Sequence, residues 1–191
     1  MREVEFSTSS LQIGRFRALD FFGDGSFYLL DAPGHDVGHL NGLVRTTSNP
    51  DTFIFLGGDT VHHGGELRPT RYLPIPDGVE VSLPDEVRAQ GVSASLDGSQ
   101  FRKLNVKRGR KPDQPFFDPV FVLDMADAME SIDKAQEADA QSNIFFTFAH
   151  DTTIPGIVDF FPLPANEWKA KGWKEKHMWK FLENFNLAAA S

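Results

Sequence analysis

The chain has 191 residues, 40% hydrophobic and 24% charged, which fits one globular domain with a substantial core and excludes disordered, collagen-like and coiled-coil classes. Its 19 basic and 27 acidic residues give a net charge of −8, which speaks against nonspecific binding to nucleic acid or to an anionic membrane and favours a small neutral or weakly charged molecule as partner. There is no cysteine, so disulfides, thiolate zinc sites and cysteine nucleophiles are excluded and any metal must be held by His and carboxylate.

No run of about 18 apolar residues occurs and the opening Met1-Arg2-Glu3-Val4-Glu5 is not a signal peptide, so the expectation is a soluble cytoplasmic protein. Eighteen Phe stand against 2 Tyr and 3 Trp. Phe brings area without a polar handle, which points to a core of packed sheets. Oligomeric state is not legible.

Residues 3–31 read as a hairpin: a period-2 run at 11–19, a turn at Gly23-Asp24-Gly25, and a second strand at 26–30. The loop Asp31-Ala32-Pro33-Gly34 leads to His35. Strands at 40–46 and 52–56 flank the turn Ser48-Asn49-Pro50-Asp51, so the first sixty residues read as antiparallel β. Residues 62–118, with Pro69, Pro74, Pro76 and Pro84, read as a long irregular segment, either a binding loop or an insert. Its basic cluster Lys103, Lys107, Arg108, Arg110 and Lys111 reads first as a solvated loop and second as an anion site. Helical spacing runs over 120–141, a buried strand over 144–148, and two more helical stretches over 153–160 and 168–185. Trp168, Trp173 and Trp179 are expected to pack the last of these onto the core. No repeat or linker divides the chain, so 1–191 reads as a single domain.

Three fragments carry chemistry: Pro33-Gly34-His35-Asp36-Val37-Gly38-His39, Leu56-Gly57-Gly58-Asp59-Thr60, and Phe148-Ala149-His150-Asp151. Each follows a β-prone run, so His35, Asp59 and His150 are expected at strand ends, where side chains can converge on a metal. For Asp59 the competing role is a helix cap. His39 is expected to orient its neighbours by hydrogen bonds without ligating. Asp151 is expected to cap the next helix, and His63 to donate a proton near the metals.

In this order the three motifs resemble the later ligands of metallo-β-lactamase-fold hydrolases, nearest the lactonase and glyoxalase II type. Gly57-Gly58-Asp59-Thr60-Val61-His62-His63-Gly64-Gly65-Glu66-Leu67-Arg68-Pro69 and Trp168-Lys169-Ala170-Lys171-Gly172-Trp173 are similar to a fungal branch of that family. The resemblance implies an α+β fold, the αββα sandwich, here N-terminally incomplete. It also implies zinc, with His35 completing one site, Asp59 bridging two ions and His150 completing the other. The implied reaction is hydrolysis of a lactone, lactam or thioester by hydroxide that the metal makes available at neutral pH. The family's upstream His-x-His-x-Asp-His motif is absent, since the remaining histidines are His39, His62, His63 and His177. His62 and His63 are not expected to replace it, because adjacent residues point apart. Metal binding is therefore expected to be weak or absent, and a truncated, noncatalytic protein is the first rival reading. A metallophosphoesterase ranks lower, because its Asp-x-His and Asn-His-Asp motifs are missing.

Overall fold

The computed structural model describes residues 4–79, 81–82 and 95–185. Its centre is a six-stranded sheet built from β1 (Gln12–Ile13), β2 (Phe16–Asp20), β3 (Phe27–Asp31), β4 (Leu40–Thr47), β5 (Thr52–Leu56) and β8 (Ile144–Thr147), in that spatial order. The first five strands form an antiparallel meander. β8 adds parallel to β5, which requires a crossover connection, and helix α3 (Met125–Asp139) supplies it. Helices α1 (Gly64–Leu67) and α2 (Gly98–Lys107) and a small β6–β7 ladder (Val81–Ser82 with Ser95–Leu96) precede α3. Helix α4 (Trp173–His177) and a 3-10 turn (Lys180–Asn184) follow β8.

Alternation in the strands gives the sheet two unlike faces. One carries Phe16, Ala18, Leu30, Leu43, Phe55 and Phe146, all buried against Ile132 and Ala135 of α3 and against Val61 and Leu67. Each large side chain so buried contributes roughly 1.5–3 kcal/mol. Phe55 and Phe146 stack at 4.6 Å across the β5–β8 pair, fixing the parallel register. On the other face Phe145 is covered by Trp168 and Trp173, the packing expected of those tryptophans. Elsewhere on that face Leu19, Leu29 and Val44 are half-buried, Phe27 packs against the rings of Phe21 and Phe22, and Leu56 is exposed.

Several elements depart from the sequence expectation. The run at 11–19 is two strands, because Gly14 takes φ +56 and folds Gln12–Ile13 back onto Phe16 and Arg17. The segment 62–118 is more regular than its prolines suggest. Within it, α2 starts at a capping box in which Asp97 accepts from the Gln100 backbone and the Gln100 side chain returns a bond to Asp97. α3 begins five residues late, with Asp124 as its cap, because the backbone at 121–124 is bound to Gly34 and His35. No helix forms over 153–160, where Pro155 and the left-handed Gly156 leave only turns. In the stretch 168–185 Gly172, at φ +65, delays the helix to Trp173; α4 then ends at His177 and a separate 3-10 turn follows. Among the described residues no helix is long and apolar enough to cross a membrane.

Candidate metal centre

The loops after β3, β5 and β8 meet at one end of the sheet. Gly57 N donates to Thr147 O at 2.8 Å and Ala149 N to Gly58 O at 2.9 Å, so the β8 exit is laced to the β5 exit and His150 is carried beside Asp59. The first loop is held from the opposite side. Gly34, at φ +119, lies so close to α3 that a Cβ would stand 2.1 Å from Ala128 N, and its carbonyl accepts from Leu123 N and Asp124 N. Only glycine meets both the φ and the close approach.

The structure brings His35, Asp59 and His150 together. His35 Nε2 is 3.8 Å from Asp59 Oδ2, and His150 Nε2 is 2.9 Å from Asp59 Oδ1. Asp59 is no helix cap: α1 is capped by His63. His35 Nδ1 pairs with Phe121 O at 2.9 Å, which makes that nitrogen the donor and turns Nε2 toward Asp59. His39 is saturated: Nδ1 pairs with Ala32 O at 3.0 Å and Nε2 accepts from Asp59 N at 3.0 Å. With both nitrogens engaged, His39 fixes the backbone of Asp59.

The Asp59 Oδ1 atom is buried and makes no hydrogen bond; His150 Nε2 stands 2.9 Å from it, an ion pair only when that ring carries a proton. A buried carboxylate oxygen left so is costly unless a cation completes it. The donor set of imidazole nitrogen and carboxylate oxygen, with no thiolate, suits zinc and other borderline divalent ions.

His62, set aside in the sequence, also enters the cluster. One ligand atom each from His35, Asp59 and His62 lie within 4.8 Å of one another. Burial, then the nearby His35 and His150, lower the pKa of His62, so its neutral form is favoured. The rule that neighbouring residues point apart does hold, and it separates His62 from His63. The His63 ring packs edge-on to Phe117 and Phe181, and its Nδ1 accepts from Gly65 N as the cap of α1. The structure does not bring His63 to the cluster. Asp151 caps no helix either; it is buried, accepts from Thr153 and pairs with buried His177 at 2.5 Å. That pair anchors the loop bearing His150 to α4, and no sequence spacing announces it.

The geometry defines a His- and carboxylate-lined centre at strand ends. Fungal relatives named gamma-lactamase and metallo-hydrolase, similar over most of the chain, support the metallo-β-lactamase-fold hydrolase family that its motifs resemble. It is 45% identical over 188 residues to gamma-lactamase FDB1 of Fusarium pseudograminearum (strain CS3096), covering 96% of this chain and 44% of that protein. Metallo-hydrolase mfmC of Annulohypoxylon moriforme is 42% identical over 192 residues, 97% of this chain and 47% of its own length. Gamma-lactamase MBL2 of Gibberella moniliformis (strain M3125 / FGSC 7600) is 46% identical over 137 residues, 69% of this chain and 54% of its own length. The chain thus spans about half the length of these relatives or less. No protein-family model and no solved structure matches it.

Proposed function

We propose that this chain carries metal ligands of a hydrolase that opens a cyclic amide, cyclic ester or thioester, with zinc as the ion. The observation that carries this reading is the convergence of His35 Nε2 and His150 Nε2 on the Asp59 carboxylate, whose Oδ1 is buried and unpartnered. Relatives named gamma-lactamase and metallo-hydrolase support it over a phosphoesterase. A divalent ion held there supplies Lewis acidity toward a carbonyl oxygen and eases ionisation of water.

The protein's own groups do the positioning. Phe121 O holds His35 in one tautomer, His39 holds the Asp59 backbone, and Asp151–His177 holds the loop of His150. Phe121, exposed and 6.0 Å from the His62 ring, offers an apolar wall to a substrate of low charge. His63, placed as a cap, is assigned to structure in this reading.

The rival reading, in which the chain keeps the fold without turnover, is not favoured by relatives named gamma-lactamase and metallo-hydrolase. One assay separates the two: purified chain with added zinc against lactam, lactone and thioester panels, beside Asp59→Ala. Turnover lost in the variant supports the hydrolase; no turnover by the wild-type chain supports the noncatalytic reading. The finer fold inferred is the αββα sandwich, with Leu19, Phe27, Leu29, Val44 and Leu56 as the inner face toward a second sheet. An environment-sensitive apolar dye should bind this face and bind less to Leu29→Glu. Undiminished binding in that variant would count against the sandwich.

A further inference from the structure

Ahead of helix α3 the chain runs Pro119-Val120-Phe121-Val122-Leu123, five apolar residues in a row. Pro119 is buried and Val122 half-buried, but Val120, Phe121 and Leu123 are 71%, 71% and 68% exposed. An exposed apolar run of this kind is a liability unless it serves a function. The run is pinned at both ends: Arg110 grips Asp118 through Nη1 and Nη2 before it, and Asp124 caps α3 after it. Its backbone is engaged with the loop of His35, since Leu123 N donates to Gly34 O and His35 O and Phe121 O pairs with His35 Nδ1. The side chains stay in the open, with the Phe121 ring 6.0 Å from that of His62 and steeply inclined to it at 73°. Between Lys111 and Lys134 the sequence has no basic residue and six acidic ones, so the surroundings repel anions.

We propose that the strap 119–123 sets substrate specificity: Phe121 and Leu123 receive a neutral apolar substituent, aromatic or branched aliphatic, of a substrate whose carbonyl lies toward His35 and Asp59. The proposal rests on the hydrolase reading above and names the substrate class within it. A molecule that reaches this centre comes to the strap as well, because the strap is joined through its backbone to His35 and holds an aromatic ring beside His62. An anionic arm would meet the carboxylates around it, and a polar arm would leave the exposed side chains wet. A ring or branched chain avoids the first cost and gains from covering the strap. On a wall this open the gain lies at the low end of what apolar contacts give in discrimination, roughly 10-fold in affinity.

The test measures binding to the whole chain without relying on turnover. Pyrrolidinone, its phenyl-substituted analogue and pyroglutamate serve as unsubstituted, apolar and anionic γ-lactam probes, titrated while the methyl resonances of Val120, Val122 and Leu123 are followed. The phenyl lactam should bind roughly 10-fold more tightly than the parent and shift these methyls most, and pyroglutamate should bind no more tightly than the parent. Phe121→Ser should remove the preference and Phe121→Leu should keep most of it, since both retain the main-chain carbonyl that holds His35. Leu123→Ser, at a second position, should weaken the preference, and thermal melts check that each variant is folded. Equal affinity for the parent and phenyl lactams in the wild type, binding of neither, or a preference that survives Phe121→Ser would each overturn the proposal. So would concentration-dependent self-association that Phe121→Ser abolishes, with no lactam preference, because the strap would then be an interface between copies. A zinc titration keeps the two readings apart: a phenyl preference without zinc binding removes the metal-dependent reading alone, and zinc binding without a phenyl preference removes the strap alone.

Discussion

Two polar clusters in this molecule invite comparison. At one end of the sheet His35, Asp59, His62 and His150 crowd together with Asp59 Oδ1 and His62 Nδ1 unpartnered. Beneath α3 lies a second cluster with a full set of bonds to its charged groups. Arg68, 2% exposed, grips Asp139 through Nε and Nη2 at 2.6 Å each and donates from Nη1 to Met178 O. Lys174, also buried, donates to the carbonyls of Asp139, Gln141 and Ile144. The difference separates structure from function. A cluster that satisfies itself ties elements together, here α1, α3, β8 and α4, whereas one left with buried lone pairs awaits something else.

The contrast breaks most visibly at Arg68. Arg68→Ala leaves the Asp139 carboxylate buried without its partner and should cost about 3–5 kcal/mol, enough to consume much of the stability of a domain this size. Urea denaturation measures it. A loss under about 1 kcal/mol would mean that Asp139 finds water or another donor, and the cluster would not be the tie described here.

A smaller effect is expected where the metal-site end meets the scaffold. In Gly34→Ala the new Cβ would lie 2.1 Å from Ala128 N and 2.4 Å from Ala128 Cα, at a residue with φ +119. Strain of this kind costs on the order of 1–3 kcal/mol, and relief requires the loop to move away from α3. His35 then loses Phe121 O as a partner, so both the melting temperature and metal affinity should fall. A variant that loses stability but keeps full affinity would show that Gly34 does not position His35.

Lys174 sharpens the comparison through pH. Burial lowers its pKa from 10.5 to about 8, with Asp139 opposing and Arg68 reinforcing the shift. The unfolded chain therefore binds more protons than the folded one between about pH 8 and 10.5, and stability from this group rises across that window. Below about pH 8 both states are protonated and its penalty for burial is full. Denaturation curves from pH 7 to 10 should show a rising contribution in the wild type that Lys174→Met lacks. Equal slopes in the two proteins would show that Lys174 does not titrate in that range.

How much of this was legible follows from the range of the interactions. The meander was readable because alternation and turn residues act locally: Asp20 accepts from Gly23 N and Gly25 N at the turn the sequence marks. The His35, Asp59 and His150 motifs were readable as strand-end residues. His62 was not, because its entry depends on α1 beginning at Gly64 and on Glu66 holding its backbone. The late start of α3 was equally hidden, since residues 121–124 are claimed by Gly34 and His35, some 90 positions earlier. Asp97 and Gln100 did carry a local signal, a capping box, that the proline-rich context masked. Asp151 looked like a cap from sequence, and only the arrival of His177 on α4 gives it another role.

The smallest expected effect bears most directly on the contrast. If the metal-site cluster serves something other than the fold, removing its central carboxylate should scarcely disturb the metal-free protein. The Asp59 side chain accepts no hydrogen bond through Oδ1, and what the fold takes from this residue is its backbone N–H, which donates to His39 Nε2 and survives substitution. Asp59→Ala should therefore change the unfolding free energy without metal by no more than about 1 kcal/mol, the range of a partly exposed pair such as Asp59 makes with His150 at 2.9 Å. The same variant should abolish the rise in melting temperature that added zinc gives the wild type, since ligand binding to the folded state alone stabilises by mass action. Calorimetric scans with and without zinc separate the two effects. A large loss of stability in the metal-free variant would place Asp59 with Asp139 as a structural carboxylate, and the distinction between the clusters would not hold.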